Sequence, residues 1–559
     1  MPAVLRKLLL GFWPTVGIVA AVCVALPVLT VLASVFADSD GEWRHLYETR
    51  LLDYVTNTLL LAGGVCGITV VVGTGTAWLT TLCDFPGRSF FRWALLLPLA
   101  VPAYLGAYAY TDWLQYSGPL QSALRELFDW QTAADYWFPN VRTLPGAIVI
   151  LSLALYPYVY LAARTAFLEQ SGCALEVART LGRGPWRSFW SVALPLARPS
   201  IVAGAALVLM ETVAEFGAVE YCAVDTFATG IYRTWLGQGS ITAAAQLSAV
   251  LLGAVALLVI VELISRRNAR FHQATQRYRV LPSYRLSWLR STLAIAACGL
   301  PILLGFAIPA ALFAQMAWQS GDARAVELFA DHAKNTLTVA AVASLLAATL
   351  ALAIAYGRRL RPGLATLVPA RLASLGYAVP GAVIAIGLLI PLTWLDFRIN
   401  RIVAEIWGRE HRPGLILTGS IVAVVIGYQT RFLAVALAMI EASLDRVRTT
   451  LDDAARTLGA GGRGVLLRVH LPLLRGSVLA AVLLVFVDVV KELPATLILR
   501  PFNFDTLAVR VYQLASDERL EEAATGALAI ILAGLIPVIV LSKLVDRSRP
   551  GATNGNQVP

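Results

Sequence analysis

The chain has 559 residues, and its composition excludes most soluble classes of protein. Hydrophobic residues make up 58% and charged residues 14%, whereas a soluble domain has about 45–50% and about 25%. We therefore expect a polytopic membrane protein and exclude a soluble enzyme, a disordered chain and a nucleic-acid-binding protein. The six cysteines are scattered and the net charge is +10. They form no C-x-x-C pair, and they indicate neither a disulfide framework nor a metal site.

Apolar stretches long enough to cross a bilayer recur along the whole chain. A spanning helix needs about 20 mostly apolar residues, because every backbone polar group must be satisfied inside lipid. The sequence predicts an all-α fold with about twelve spans. They lie near 13–36, 55–80, 91–114, 144–167, 199–220, 242–264, 291–317, 335–357, 367–394, 414–438, 476–499 and 522–542.

Lysine and arginine favour one set of connecting segments by about two to one. By the positive-inside rule, both termini then lie in the cytoplasm, as in a protein of the bacterial inner membrane. The predicted outer loop 395–413 is an exception, with four arginines: Arg398, Arg401, Arg409 and Arg412. Arg431 falls inside a predicted span near its cytoplasmic end, where snorkelling would explain it.

The two halves of the chain are copies of each other. An Asn-Thr-Leu triplet recurs at 57 and 335, a Val-Pro pair at 101 and 379, and an Ala-Arg-Thr-Leu-Gly run at 178 and 455. We divide the chain into a first repeat at 1–264, a basic linker at 265–290, a second repeat at 291–545 and a polar tail at 546–559. An even number of spans in each copy predicts parallel repeats about an axis along the membrane normal.

A longer signature lies in the predicted cytoplasmic loop before the fifth span of each copy, at 173–198 and 450–475. It predicts a short helix, a glycine in the left-handed terminating conformation, a second short helix and a proline that stops it. Its residues are Glu176, Ala178, Gly182, Leu194 and Pro195 in the first copy, and Asp453, Ala454, Ala455, Gly459, Leu471 and Pro472 in the second. Trp186, Phe189 and Trp190 fit a docking surface better than a solvated loop.

This signature resembles the E-A-A-x-x-x-G-x9-I-x-L-P loop of permease subunits of binding-protein-dependent ABC importers. Both copies match in spacing and depart conservatively at Val177, Asp453, Val192 and Val469. The resemblance implies the type I importer permease fold. It also implies that each loop docks into a cytoplasmic ATPase, with Glu176 and Asp453 as the acidic contacts, so that one chain binds two ATPase subunits.

The chain itself carries no G-x-x-x-x-G-K-[ST] phosphate loop. ATP and Mg would therefore be bound by the partner ATPase, and we expect neither catalytic residues nor a cofactor or metal site on this chain. A membrane enzyme is disfavoured because no Ser/His/Asp set and no H-E-x-x-H motif is present. A secondary transporter with two parallel halves is a further alternative, but it would not need the paired docking signature.

The fifth span of each copy carries two acids four residues apart, Glu211 and Glu215 in the first and Asp488 and Glu492 in the second. This spacing predicts that each pair shares one helical face. Buried charges in a membrane usually face a cavity or a partner. The four acids either line a cation pathway or tie the bundle together, and Lys491 favours the second reading at Asp488.

Two longer stretches, at 210–235 and 485–513, resemble the ferric-iron uptake subfamily of these permeases. The resemblance implies that a periplasmic binding protein delivers ferric iron to the outer face. Candidate docking residues are Asp225, Arg233, Asp505 and Arg510, although the two aspartates fit turn positions equally well. Related permeases suggest other substrates: thiamine, polyamine, phosphonate or sulfate-type anions.

Overall fold

A computed structural model of the chain describes residues 12–39, 41–169, 180, 184–267, 284–320 and 323–547. These residues are almost entirely helical, which confirms the all-α prediction. Two two-residue strands, β1 (Cys83–Asp84) and β2 (Tyr284–Arg285), pair in parallel with Cys83 opposite Tyr284.

The helices of the first half are α1 (Phe12–Ser34), α2 (Glu42–Thr49), α3 (Leu51–Leu82), α4 (Arg88–Ala94), α5 (Ala103–Leu114), α6 (Pro119–Phe128), α7 (Leu144–Glu169), α8 (Pro185–Ser188), α9 (Leu194–Ala214), α10 (Gly217–Tyr221), α11 (Phe227–Tyr232) and α12 (Ile241–Arg267). Those of the second half are α13 (Trp288–Ile302), α14 (Ile308–Ser320), α15 (Ala323–Leu360), α16 (Leu364–Leu375), α17 (Gly381–Trp407), α18 (Ile421–Leu444), α19 (Thr450–Thr457), α20 (Gly462–Val465), α21 (Leu471–Val490), α22 (Pro494–Leu499), α23 (Leu507–Ser516) and α24 (Leu520–Arg547). Short 3₁₀ turns lie at Leu97–Ala100, Gly376–Ala378 and Arg409–His411, and π turns at Phe189–Ala193, Arg233–Gly237, Leu303–Ala307 and Leu466–His470.

Among the described residues, eleven helices are long and apolar enough to cross a membrane. A twelfth candidate is the bent pair Arg88–Ala100 and Ala103–Phe128, whose two parts meet at 86°. The chain is therefore a multi-pass membrane protein with eleven or twelve spans, close to the twelve that hydropathy predicts.

The recurring Val-Pro pairs mark helix breaks that the span prediction missed. Val101 and Val379 are extended, with ψ of 108° and 124°, because a residue before proline is pushed out of the helical region. The predicted spans 91–114 and 367–394 are each broken there. The second half then restarts as α17, which runs to Trp407, so most of the predicted outer loop 395–413 is helix.

Two compact units divide the chain differently from the sequence repeats. Unit 1 comprises Met1–Thr49, Gly230–Leu252 and Ala323–Val511, and unit 2 comprises Arg50–Thr229, Gly253–Asp322 and Tyr512–Pro559. Each unit thus joins the middle of one repeat to terminal helices of the other. In unit 1, α1 of the first repeat packs against α15, α16 and α17 of the second. In unit 2, α14 and α24 of the second repeat pack against each other, and α14 also packs against α5 of the first repeat.

The centre of unit 2 is the close crossing of α3, α7 and α9. A Cβ atom at Gly73 would lie 2.8 Å from the Cβ of Val159 and 2.9 Å from the backbone nitrogen of Tyr160. Small residues allow membrane helices to approach this closely. Gly73 therefore serves helix packing.

Candidate functional site

We call the two signature loops, at 173–198 and 450–475, the first and second coupling loops. Every residue of the second loop is described, and it has most of the predicted geometry. Helix α19 carries Asp453, Ala454 and Ala455 and is followed by Gly459 at φ +83°. This is the left-handed conformation that glycine adopts without strain. A second short helix, α20, then leads towards α21. The predicted helix–glycine–helix loop is therefore present in this copy.

The prediction that Pro472 stops the second helix is wrong. The helix continues from α20 through a π turn into α21, and the Leu471 amide donates to the Leu466 carbonyl five residues earlier. In the first copy, the Leu194 amide donates to Phe189 in the same way, just before Pro195. A proline ring clashes with the carbonyl four residues before it. Widening to a π turn relieves that clash without breaking the helix.

Asp452, one residue before Asp453, anchors the second loop and was missed by the sequence analysis. Its buried carboxylate accepts from Arg359 Nε at 2.8 Å and lies 2.8 Å from His470 Nε2. Arg359 also donates to the carbonyl of Leu444, and the Tyr356 hydroxyl donates to that of Gly462. The first copy has Leu175 at the position of Asp452. The only sign of this role in the sequence was a second carboxylate directly before Asp453.

The residues expected to contact an ATPase lie at the surface of this loop. Asp453 has a side-chain exposure of 71% and pairs weakly with Arg456 at 3.7 Å. Leu458 is 88% exposed although it is apolar. Both residues are therefore accessible, and their role in docking an ATPase stays a prediction.

Only part of the first coupling loop is described. Glu176, Ala178 and Gly182 lie outside the described residues, whereas Leu194 and Pro195 begin α9. Phe189 is buried and its ring lies 5.0 Å from that of Trp78, so it holds the loop to α3. Trp186 and Trp190 are exposed, and their role in docking stays a prediction.

The fifth span of each repeat ends between its two acids. Helix α9 stops at Ala214 and Glu215 is extended at ψ 130°; in the second copy, α21 stops at Val490. Each glutamate then caps the short helix that follows. Glu215 Oε1 accepts from the Ala218 amide at 3.0 Å, and Glu492 Oε1 accepts from the Ala495 amide at 2.9 Å. The expectation that each acid pair shares one continuous helical face is therefore wrong.

Glu492 is paired with a cation inside unit 1. Arg431 NH1 lies 3.3 Å from Glu492 Oε2, and the two side chains are only 9% and 7% exposed. Arg431 lies in the middle of α18, so snorkelling does not explain it. Gly381, the first residue after the Val-Pro break, leaves room for the pair: its Cβ would lie 2.8 Å from Glu492 Oε1.

The other two acids, Glu211 and Asp488, occupy related positions in the two repeats. Asp488 Oδ1 forms a 2.9 Å ion pair with Lys491 Nζ, which confirms the predicted neutralisation by that lysine. Glu211 is half-buried on α9. The first repeat has Ala214 at the position of Lys491, so this pairing three residues apart is specific to the second copy. Among the described residues, no group of three or more His, Cys, Asp or Glu side chains could hold a metal ion.

The outer candidates Asp225 and Asp505 belong to a clamp that occurs once in each repeat. Asn57 Nδ2 donates to the Asp225 carbonyl at 2.9 Å, and Asn335 Nδ2 donates to the Asp505 carbonyl at 3.2 Å. The next threonine of each Asn-Thr-Leu triplet accepts the amide of Phe227 or Leu507. The triplet recurs because it ties the segment after the fifth-span break to the second span of each repeat.

The carboxylates of the two clamp aspartates are also engaged. Asp225 pairs with Arg50 at 3.4 Å, and Asp505 pairs with Arg500. This favours the turn-forming reading of both. Of the remaining outer candidates, Arg233 is exposed and Arg510 is half-buried. Their role in docking a binding protein stays a prediction.

The fold of eleven or twelve spans, the duplicated loop and the matched helix breaks define a duplicated membrane permease. The chain belongs to the family of inner membrane components of binding-protein-dependent transport systems, whose model matches residues 70–276 and 347–551. The two matches fall one in each half, as the internal repeat requires.

Individual permeases of named transport systems are also similar to this chain. The chain is 26% identical over 507 residues to the Fe(3+)-transport system permease protein FbpB 2 of Haemophilus influenzae, covering 89% of this chain and 91% of that protein. It is 24% identical to the putative ferric transport system permease protein FbpB 1 of the same organism, over 88% of this chain and 77% of that protein. The molybdenum transport system permease protein ModB of Escherichia coli is 34% identical, but over only 25% of this chain and 58% of its own length.

Proposed function

We propose that this chain is the membrane permease of an ATP-driven importer that moves ferric iron into the cytoplasm. The observation that carries the substrate is the extent of similarity. The match to the ferric-transport permease FbpB 2 spans nearly the whole length of both proteins. The matches to the molybdenum permease ModB and to the sulfate permease CysW of Escherichia coli span only 25% and 37% of this chain. Import of an oxyanion is the alternative, and these partial matches represent it.

The partners follow from the family and from the two loops. A periplasmic binding protein would deliver the iron to the outer face. Two copies of a cytoplasmic ATPase would each receive one coupling loop and bind ATP and Mg, while this chain holds no cofactor of its own. The exposed Asp453 and Leu458 and the exposed Trp186 and Trp190 support docking at both loops. Both termini would then lie in the cytoplasm of a cell with an inner membrane.

The test is uptake of radioactive iron by lipid vesicles that hold this chain, its ATPase and its binding protein. We expect uptake to require ATP and the binding protein, and to be lost in a Glu176→Arg, Asp453→Arg double variant. Uptake that survives this variant rejects the coupling role and leaves iron transport intact. An intact complex that hydrolyses ATP but takes up no iron rejects the substrate. Uptake without ATP indicates a secondary transporter.

A further inference from the structure

The second coupling loop is attached to α15 by a buried, two-point ion pair. Arg359, near the C-terminal end of α15, places Nε 2.8 Å from Oδ2 of Asp452 on α19 and NH2 3.3 Å from Oδ1. The two side chains are only 11% and 7% exposed, and His470 beside them is fully buried. A forked contact of this kind fixes direction as well as distance, because both hydrogen bonds require one orientation.

Two further hydrogen bonds extend this attachment within unit 1. Arg359 NH1 donates to the carbonyl of Leu444, the last residue of α18, at 2.8 Å. The Tyr356 hydroxyl, one turn earlier on α15, donates to the carbonyl of Gly462 on α20 at 2.7 Å. Both short helices of the second coupling loop are therefore tied to α15, and the loop cannot turn against that helix without breaking the fork.

The first coupling loop is attached to its own second span, α3, by aromatic packing. Three aromatic residues of the first repeat correspond to contact positions of the second: Trp78 to Tyr356, Phe167 to Leu444 and Phe189 to Leu466. The Trp78 ring centre lies 5.8 Å from that of Phe167 and 5.0 Å from that of Phe189. Corresponding positions thus hold rings in one copy and polar contacts in the other.

The fold itself does not require charges at the positions of the ion pair. The first repeat has Thr81 at the position of Arg359 and Leu175 at the position of Asp452. Burying two charges costs free energy, and apolar side chains of similar volume are often equally stabilising. What the forked pair adds in the second repeat is a defined orientation between α19 and α15.

Helix α15 leads from this pair to a second fixed contact. No proline interrupts α15, and the 24 residue steps from Asn335 to Arg359 cover about 36 Å, enough to cross a hydrocarbon core of about 30 Å. At the far end, Asn335 holds the Asp505 carbonyl and Thr336 accepts the Leu507 amide. A continuous helix that is held at both ends moves the two contacts together.

We propose that Arg359 and Asp452 are positioning residues for coupling. Their forked pair makes α19 move with α15, so that movement of a docked ATPase reaches the segment after the fifth-span break in unit 1. In unit 2, the packing of Phe189 on Trp78 has this task. The inference rests on the proposed function in requiring an ATPase at the second coupling loop, and it does not depend on which cargo is carried.

The test measures how strongly the binding protein stimulates ATP hydrolysis by the complete complex in lipid vesicles. A signal from outside must cross the permease to reach the ATPase, so this stimulation reports coupling for any cargo. The variant is Arg359→Thr with Asp452→Leu, which introduces the residues of the first repeat and leaves neither charge buried alone. We expect the stimulation to fall at least about fivefold, while the ATPase stays bound to the complex.

The matched control is Arg358→Leu, which removes the neighbouring arginine of the same helix. Arg358 NH1 lies 2.8 Å from Glu441 Oε1, and NH2 lies 3.6 Å from Asp445 Oδ1. Its ion pairs are therefore with α18 and the residue that follows it, rather than with α19. We expect this variant to keep the stimulation of the wild type. An equal loss in Arg358→Leu would overturn the proposal, because any ion pair of α15 would then suffice.

Melting temperatures separate positioning from structural support. A double variant that melts like the wild type but has lost the stimulation supports the proposal. Undiminished stimulation overturns it, and so does release of the ATPase. If the double variant melts lower, Arg359→Lys replaces it, since lysine keeps the charge without the fork. Lost stimulation at the wild-type melting temperature then supports the proposal, and full stimulation overturns it.

Iron uptake by the same vesicles distinguishes this inference from the proposed function. A wild-type complex that the binding protein stimulates, but that imports no iron, rejects the proposed cargo and leaves the positioning role to be judged by the variants. Iron uptake that is as high per ATP hydrolysed in the double variant as in the wild type keeps the proposed function and rejects the positioning role. A wild-type complex that shows neither stimulation nor uptake rejects both.

Discussion

Units 1 and 2 each contain a glutamate that caps a short helix at a break in the fifth span, but they treat its charge differently. In unit 1, Glu492 is buried against Arg431. In unit 2, Glu215 caps its helix in the same way, but the position 277 residues before Arg431 is Ala154. Duplication thus preserved the backbone geometry, while the environment of the charge diverged.

The largest effect should come from removing the cation of unit 1. Arg431→Leu leaves Glu492 buried without its partner, and we expect a loss of about 3–5 kcal/mol in the free energy of unfolding. Denaturation of the detergent-solubilised chain, followed by fluorescence, measures it. The control is the double variant Arg431→Leu, Glu492→Gln, which keeps the cap and should recover most of the loss. A single variant as stable as the wild type would contradict the structural role.

The space beside the ion pair gives the next effect. Gly381→Ala would bring a methyl group to 2.8 Å from Glu492 Oε1 and 3.1 Å from Arg431 NH1, and we expect a cost of about 1–3 kcal/mol. The first repeat already has alanine at the related position, Ala103. The reverse substitution, Ala103→Gly, should cost only about 0.5–1 kcal/mol. Equal costs for the two variants would argue against the difference in packing.

The caps themselves should contribute moderately. Glu215→Ala removes the acceptor of the Ala218 amide and should lower the free energy of unfolding by about 0.5–2 kcal/mol. Glu215→Gln retains an oxygen and should cost less than half as much. Denaturation of the detergent-solubilised chain, followed by fluorescence, compares the two variants. If the glutamine variant is as unstable as the alanine variant, the charge rather than the cap stabilises the break.

The smallest effects should be nearly equal in both copies. Asn57→Ala and Asn335→Ala each remove one hydrogen bond to the carbonyl of an aspartate, and we expect about 0.5–1.5 kcal/mol from each. Asn57→Asp and Asn335→Asp keep the shape but lose the donor and serve as controls. A large difference between the two clamps would show that the outer segments have diverged as the glutamate sites have.

Much of the function was readable in the chain before its fold was known. The duplicated loop was recognised from its spacing, and Gly459 has the left-handed backbone that the pattern requires. Asp488 and Lys491 lie three residues apart on a helix, so local geometry alone predicts their pairing. The Asn-Thr-Leu and Val-Pro landmarks were found as repeats, but their roles as clamps and breaks depend on contacts with distant segments.

The failures share a physical cause. Hydropathy reports that a stretch prefers lipid but not whether the helix within it is continuous, so the breaks at Val101, Val379 and Glu215 were missed. Arg431 pairs with a residue 61 positions away, and Tyr108 and Tyr221 meet across two helices. Such pairs have no signature in sequence spacing.

The sequence by itself determined the membrane class, the duplication, the span count and the coupling signature, because these depend on local composition and on spacing along the chain. Tertiary structure decided which terminal helices join which unit, where the predicted spans are broken, and that Glu492 pairs with Arg431. Those outcomes depend on side chains brought together by helix packing. Two copies with matching landmarks can therefore enclose their acids in different environments.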